Sequence, residues 1–476
     1  MITGKTLIDW GIDPKGKGKW FGEALKEAQY RESCGHTHSE ILLHLERSQP
    51  KLPPEIALRT NALPFEIYVE PESEVEQENL NGVIQTMDAL LRVPTAVAGA
   101  VLPDAMGAGP GSIPVGCVIA AKDAIHPGWH SADVCCSMAI TVFKRKDDLK
   151  KILDAAQAIT HFGPGGREKG WLMPATVAHD FSKNRFLSDA GAIGDSNLGT
   201  QGDGNHFLYV GTLRSTGQPA LVTHHGSRGV GALLHKRGMA VAKKHTAIHS
   251  PRTPEKAAWI DANGEDGLAY WEALQIARRW TKWNHFLLHG AIQQAIGNRI
   301  EDQFWNEHNF VFRRDDGLYY HAKGATPSFK GFSDDDDGRT LIPMNMCEPI
   351  LITTHRDKPE ALGFSPHGAG RNMTRTQHVR NLTAARENVD PRGLSPRDIE
   401  EIFREETRHI DVRSYLGRPD LSELPSAYKS AEQVQRQIKK HGLADVVDYV
   451  DPYGCIMAGE IVWNKRKKEK TGVVQS

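Results

Sequence analysis

The sequence predicts an α+β fold, with mixed strands and helices arranged around a central cleft suited to a metal. Three observations carry this expectation. Apolar residues recur at helical spacing in some stretches, short β-branched runs broken by Gly and Pro fill others, and histidine, cysteine and aspartate stand beside glycine or at strand ends.

In chain order, residues 17–47 read as helical, because apolar positions recur through WFGEALKEA and SEILLHLERS. They suggest a separate N-terminal module. From residue 96 to 142 the texture changes to short strands joined by tight loops. Residues 268–300, from LAYWEAL to GNRI, lack proline and carry apolar residues at i, i+3 and i+4, which predicts the main buried helix. His285 and His289 are read there as packing residues. Strands are expected at NFVF, LYYHA and within LIPMNMCEPILITT, and helices at residues 395–408 and 431–440. The SDDDDGR run at 333–339 reads as a solvated loop, and the tail NKRKKEK as a solvated basic tail or a contact for a nucleic-acid backbone.

Composition limits the function classes. The 476 residues are 39% hydrophobic and 25% charged, with 45 Gly and 26 Pro, which suits a globular protein rich in loops. No apolar run reaches the ~20 residues of a membrane span, and MITGKTLIDWG lacks a signal-peptide core, so no membrane partner and a cytoplasmic location are expected. Six scattered cysteines without paired C-x-x-C spacing argue against a disulfide framework or a structural zinc site. A net charge of −1 means that an anionic partner would have to be met by local clusters.

Four segments offer metal-ligand chemistry. In SADVCCSM, Asp133 and Cys136 converge if the chain turns between them, and a hard carboxylate with a soft thiolate suits manganese or zinc. QGDGNHFLY offers Asn205 and His206, LVTHHGSRG ends a strand in His224 and His225, and NEHNF carries His308. Each histidine alone is more simply a structural residue, whereas four such segments together favour a metal site. A fifth segment, FSPHGAGRNMTRTQHVRN, sets small residues after His367 and then Arg371, Arg375 and Arg380, with Arg228 of HGSRG as a further cation. Small residues let a phosphoryl group approach the imidazole, and guanidinium forks hold its oxygens. His367 can then be a nucleophile on phosphorus, or the segment can simply bind an anion.

In LPDAM, SADVCCSM, GTQGDGNHFLY, HGSRGVG, EHNF, AKGAT, PHGAGRNMTR and LPSAYK the chain resembles the RtcB-type RNA ligases, over roughly Pro94 to Gly459. The resemblance implies an RtcB-like catalytic domain at 94–476 behind an N-terminal helical extension at 1–93. It implies two Mn2+ ions held by Asp133, Cys136, His206, His224 and His308, and a GTP-derived nucleotide carried covalently on His367. The nucleotide would lie against Asn205, Gly368, Ala369, Gly370, Asn345 and Tyr428, with Asp104, Arg228, Lys323, Arg371 and Arg375 at the phosphate and RNA positions. The implied substrate is RNA with a 3′-phosphate, or 2′,3′-cyclic phosphate, and a 5′-hydroxyl end, and an archease-like activating protein is a possible partner.

Departures from that pattern cluster at the base. Tyr209 stands where the family's glutamate reads guanine, Ala458 where a lysine contacts it, Asn345 replaces a serine, and Met106 replaces a histidine. Divalent-metal and histidine chemistry are therefore expected to persist, while guanine selectivity is expected to weaken. The alternative is a divergent paralogue that binds RNA ends or acts as a metal-dependent phosphoesterase. A purely structural role leaves five metal-ligand candidates and an arginine-flanked histidine unexplained.

Overall fold

The computed structural model describes residues 1–12, 20–49, 53–109, 111–168, 171–386 and 393–460. The NKRKKEK tail lies outside them. Among the described residues the chain forms, in order, α1 (Gly4–Asp9), α2 (Trp20–Ser33), α3 (His38–Ser48), β1 (Glu66–Ile67), α4 (Glu74–Leu90), β2 (Ala96–Met106), β3 (Val115–Ala121), β4 (Ala124–Ile125), β5 (Ser137–Phe143), α5 (Leu149–Ile159), α6 (Ala175–Lys183), α7 (Gly191–Asn197), β6 (Phe207–Leu213), β7 (Pro219–His225) and α8 (Arg228–His249). It continues with β8 (Ile260–Asp261), α9 (Glu265–Ile296), β9 (Ile300–Glu307), β10 (Asn309–Arg313), β11 (Tyr319–Lys323), β12 (Ala325–Pro327), β13 (Arg339–Ile342), β14 (Ile350–His355), β15 (Phe364–Pro366), α10 (Arg375–Ala384), α11 (Pro396–Thr407), β16 (Asp411–Ser414), α12 (Ala431–His441) and β17 (Ala444–Met457). The mixed α+β expectation is borne out.

Two larger sheets organise these elements. One runs β13-β14-β17-β6-β7-β5-β9, with β16 parallel beside β17, and the other runs β1-β2-β3-β11-β10. β5 and β7 are buried on both faces, and alternate side chains divide between two cores. Met138, Ile140, Val142, Ala220 and Val222 pack with Ile399, Ile402 and Phe403 of α11. Phe143 and Leu221 pack instead with Ile152 and Leu153 of α5 and Leu288 and Ile292 of α9. Each such aliphatic side chain contributes ~1.5–3 kcal/mol when fully buried. This alternation decides which residues at the strand ends face the cleft and which face α9.

α9 runs 32 residues and stops at Gly297, whose φ of 63° and N–H bonds to Gln293 O and Gln294 O close the last turn. It is the buried helix that periodicity predicts. His285 and His289 correct their reading as packing residues, because both ring nitrogens of each meet threonine or serine hydroxyls. The SDDDDGR loop is also more than solvated: Asp336 accepts the Gly331 and Gly338 N–H groups at 2.7 and 2.9 Å.

The segment 1–93 divides in the structure. α1–α3 bury Leu7, Ala24, Ala28, Ile41 and Leu45 against one another, with Thr37 and Glu40 forming a capping box at the head of α3. β1 instead pairs with β2, and α4 sets Leu80, Val83 and Met87 into one core with β2 and β3. No described helix is long and apolar enough to cross a membrane.

Candidate active site

Backbone strain at the entrance to β5 brings the first pair of candidate ligands together. Ser131 and Cys135 adopt φ of 76° and 60°, a left-handed conformation that costs a non-glycine residue ~1–3 kcal/mol. The turn at Cys135 lets Cys136 N–H bond Asp133 O at 3.2 Å and aims both side chains inward. His206 follows a loop whose Gly202 and Gly204 take φ of 91° and 65°, and a side chain at Gly202 would collide with the Arg228 guanidinium. His224 is the last residue but one of β7, and His308 follows β9, where its N–H bonds Cys136 O at 2.9 Å.

The five candidate side chains converge. Cys136 Sγ lies 3.4 Å from His206 Nε2 and 3.2 Å from His224 Nε2. His206 Nε2 is 3.1 Å from Asp133 Oδ2, and the His224 and His308 Nε2 atoms are 3.1 Å apart. His206 donates its Nδ1–H to Gln201 O at 2.6 Å and His224 donates its own to Asn205 O at 3.0 Å. Their Nε2 lone pairs are thus free to point inward. Two three-residue sets result, Cys136–His224–His308 and Asp133–Cys136–His206, sharing the thiol.

The electrostatics agree with a cation site. Burial holds His224 neutral, its pKa lowered to about 3, and likewise pushes the His308 pKa well below the usual imidazole value. Burial alone would raise the Asp133 carboxyl, but His206 prevails and holds it at about 2. Burial and Asp133 push the Cys136 thiol up, a trend that coordination to a divalent ion would reverse. His308 Nδ1 is buried without a partner. Carboxylate, thiolate and imidazole donors crowded in this way fit one or two borderline divalent ions.

His367 stands beside this cluster, its ring 5.0 Å from that of His308. Asp104, grouped above with the phosphate and RNA positions, is fully buried beneath it. Asp104 Oδ2 accepts the His367 backbone N–H at 3.0 Å and its Nδ1–H at 2.5 Å. The Nε2 lone pair of His367 is thereby left free. Gly324 is required here, because a Cβ would lie 2.9 Å from the His367 ring. Lys323 bonds Ile113 O at 3.0 Å, and burial lowers its pKa to about 8.

A cleft of ≈ 560 Å³ joins these groups, lined among others by Asp133, Cys136, Asn205, His224, His308, Lys323, Asn345, His367–Arg371, Arg375 and Tyr428. Glu423, which sequence reasoning missed although it stands just before LPSAYK, organises its far end. It accepts Arg371 Nη2 at 2.5 Å, Arg375 Nε at 2.6 Å and the Tyr428 hydroxyl at 2.5 Å. Arg371 is further tied to Ser422 O and lies over the Tyr428 ring at 4.5 Å, whereas the terminal nitrogens of Arg375 reach toward Gly204. Arg228 heads α8 with φ of 54° and faces Asp133 and Asp203. Tyr209 is buried away from the cleft lining, its hydroxyl donating to Glu348 O and Val450 O. Asn345 Oδ1 accepts Cys347 N–H at 3.0 Å.

The family model described as "tRNA-splicing ligase RtcB" matches residues 175–458. The chain belongs to the RtcB family. The RtcB match contains His206, His224, His308 and His367 and begins after Asp133 and Cys136. Among curated relatives, the tRNA-splicing ligase RtcB of Archaeoglobus fulgidus is 28% identical over 300 residues, 55% of this chain and 59% of its own length. That of Thermococcus kodakarensis is 26% identical over 335 residues, 62% of this chain and 64% of its own. The RNA-splicing ligase RtcB homolog 1 of Entamoeba dispar is 24% identical over 298 residues, 54% and 53% of the two chains. Each match thus spans less than two thirds of the relative.

Proposed function

We propose that this chain is an RNA ligase that joins a 3′-phosphate, or a 2′,3′-cyclic phosphate, to a 5′-hydroxyl through a nucleotide carried on His367. The observation that carries this reading is the double grip of Asp104 Oδ2 on the His367 N–H and Nδ1–H. It fixes one tautomer and leaves Nε2 as a nucleophile at the cleft that Asp133, Cys136, His224 and His308 also line. Family membership supports it.

In this reading Asp133, Cys136, His206, His224 and His308 hold two Mn2+ ions, which when bound neutralise developing phosphate charge. His367 Nε2 bonds to the α-phosphorus of GTP as the bond to pyrophosphate breaks. A 2′,3′-cyclic end is first opened by water, which breaks the bond from phosphorus to O2′ and leaves a 3′-phosphate; the nucleotide then passes to the RNA 3′-phosphate, regenerating His367. Attack by the 5′-hydroxyl forms the new phosphodiester and releases the nucleoside monophosphate. Arg228 and Arg375 hold phosphates and locate the strand without reading its sequence. Lys323 adds a cation beside His367, and Tyr428 stacks on the base with Asn345 and Gly368–Gly370 around it. An archease-like protein would act on this cycle from outside the chain.

Incubation with radiolabelled GTP or ATP and Mn2+ tests the reading. A phosphoamidate on the protein that disappears in His367→Ala is expected. Absence of label with both nucleotides overturns it.

A further inference from the structure

Behind the metal donors, on the α9 side of the sheet, lies a buried chain of side chains that the proposed reaction does not use. Gln303 Nε2 donates to Thr141 Oγ1 at 2.7 Å, and Thr141 Oγ1 lies 2.7 Å from His289 Nδ1. His289 Nε2 lies 2.8 Å from Thr223 Oγ1, which lies 2.7 Å from His285 Nδ1. His285 Nε2 lies 2.9 Å from Ser137 Oγ, whose proton goes to His225 O at 3.2 Å. Thr141, His289, Thr223, His285 and Ser137 are all fully buried.

Proton counting gives this chain one direction. Ser137 has one hydroxyl proton and spends it on His225 O, so it accepts from His285 Nε2–H. Burial keeps His285 and His289 neutral, each with a single ring N–H. His285 Nδ1 therefore accepts from Thr223, Thr223 accepts from His289 Nε2–H, His289 Nδ1 accepts from Thr141, and Thr141 accepts from Gln303. Every donor points toward His225, and both tautomers are fixed.

The chain touches β5 at Ser137 and Thr141, β7 at Thr223 and His225 and β9 at Gln303, and of these Ser137, Thr223 and His225 each adjoin a metal-donor residue, Cys136 or His224. Because side chains alternate across a strand, the donors face the cleft while these neighbours face α9. The bonds to α9 therefore pin β5 against β7 where the Cys136 Sγ to His224 Nε2 separation is 3.2 Å. His225 stacks on His285 at 3.5 Å and 14°, which fixes the same strand end a second time.

We infer that His285 and His289 are positioning residues that set the donor spacing of the metal centre through Ser137, Thr223 and His225, and thereby set its affinity for divalent cations. This rests on the metal reading given above. Groups bonded directly to metal ligands commonly govern affinity by about 10–100-fold, and His285 and His289, which bond the ligands' neighbours in the strands, act at the low end of that range.

Mn2+ titration of the full chain by calorimetry, with absorption spectra of the Co2+-loaded protein, tests it. His289→Leu is expected to weaken Mn2+ binding by up to about tenfold and to perturb the Cys136 thiolate-to-cobalt band. His289→Gln, whose amide can both donate and accept, is expected to stay close to the unsubstituted protein in both readouts. Should His289→Leu fail to fold, Thr223→Val, which removes the central hydroxyl at nearly constant volume, replaces it with the same expectation. Equal affinities and spectra for the unsubstituted protein and the leucine or valine variant overturn the inference, as does a glutamine variant no better than leucine. An unsubstituted protein that binds no Mn2+ overturns the metal reading itself.

Discussion

At His367 the charge beneath the ring matters more than the ring alone. Asp104→Asn keeps the shape of the side chain, but it removes the negative charge that holds the His367 Nδ1–H and brings an amide N–H that can donate to Nδ1 instead. Formation of the labelled histidine is expected to slow by ~100-fold or more, measured as the rate of label incorporation, because a wrong tautomer removes the nucleophilic lone pair. Lys323 gives a pH dependence with a definite sign. Burial disfavours its ammonium, so its pKa falls from 10.5 to about 8. It is charged at pH 7 and largely neutral by pH 9, and triphosphate affinity should fall across that interval. Lys323→Met should flatten the profile, as followed by nucleotide-binding isotherms. Tyr209 bears on the base: its hydroxyl is engaged by two backbone carbonyls and presents no carboxylate to the cleft. The carboxylate that does line the far end, Glu423, is occupied by Arg371, Arg375 and Tyr428. Each lost polar contact removes ~1–3 kcal/mol of discrimination, so competition between GTP and ATP for labelling should show little preference, and a strong preference for GTP would contradict this.

At the scale of elements, the five candidate donors lie at or beside the ends of β5, β6, β7 and β9, so in the proposed reading the stability of these strands is linked to the metal. Mn2+ at 100 times its Kd should stabilise the folded chain by ~2.7 kcal/mol. Thermal unfolding is therefore expected to move upward with Mn2+ and to return with EDTA, and His308→Ala should reduce the response. β5, β7 and α9 were legible because their periodicities are clean, whereas β9 was not among the expected strands, and SADVCCSM offered two donors that meet only if the chain turns, which it does through the positive φ of Cys135. β17 was not legible. Its 14 residues mix Asp, Pro and Gly into the run, and the register shift between Pro452 and Gly454 interrupts the alternation that would mark a strand. His285 and His289 fit a helical apolar stripe as well as any packing residue, and only the register of β5 and β7 against α9 supplies their hydroxyl partners. Glu423 was likewise invisible, because a carboxylate gains its meaning from two arginines about fifty residues earlier.

At the scale of the whole molecule, the three N-terminal helices form a unit with its own small core. Ile2 N–H bonds Glu32 at 2.8 Å and Gln29 returns a bond to Ile2 O at 2.8 Å, so α1 is fastened to α2 within the unit. Ile2, Leu7, Ile12, Ala24, Ala28, Ile41 and Leu45 supply its interior, and two of these seven are alanines. A core of this size rarely yields more than ~3–5 kcal/mol, whereas the body beyond residue 53 joins two sheets and α9 through several larger cores. The helical unit should therefore unfold first, giving a low-temperature loss of helical signal before the main transition, so that the full chain departs from two-state behaviour. Starting the chain at residue 53 should abolish the early transition. It should leave the main transition and the rate of His367 labelling within about twofold, because Asp104, the metal donors and the arginine–Glu423 cluster all lie in the body. Calorimetry and label incorporation on the shortened chain read both quantities, and a labelling rate that collapses while the main transition persists would place the N-terminal helices in the catalytic cycle.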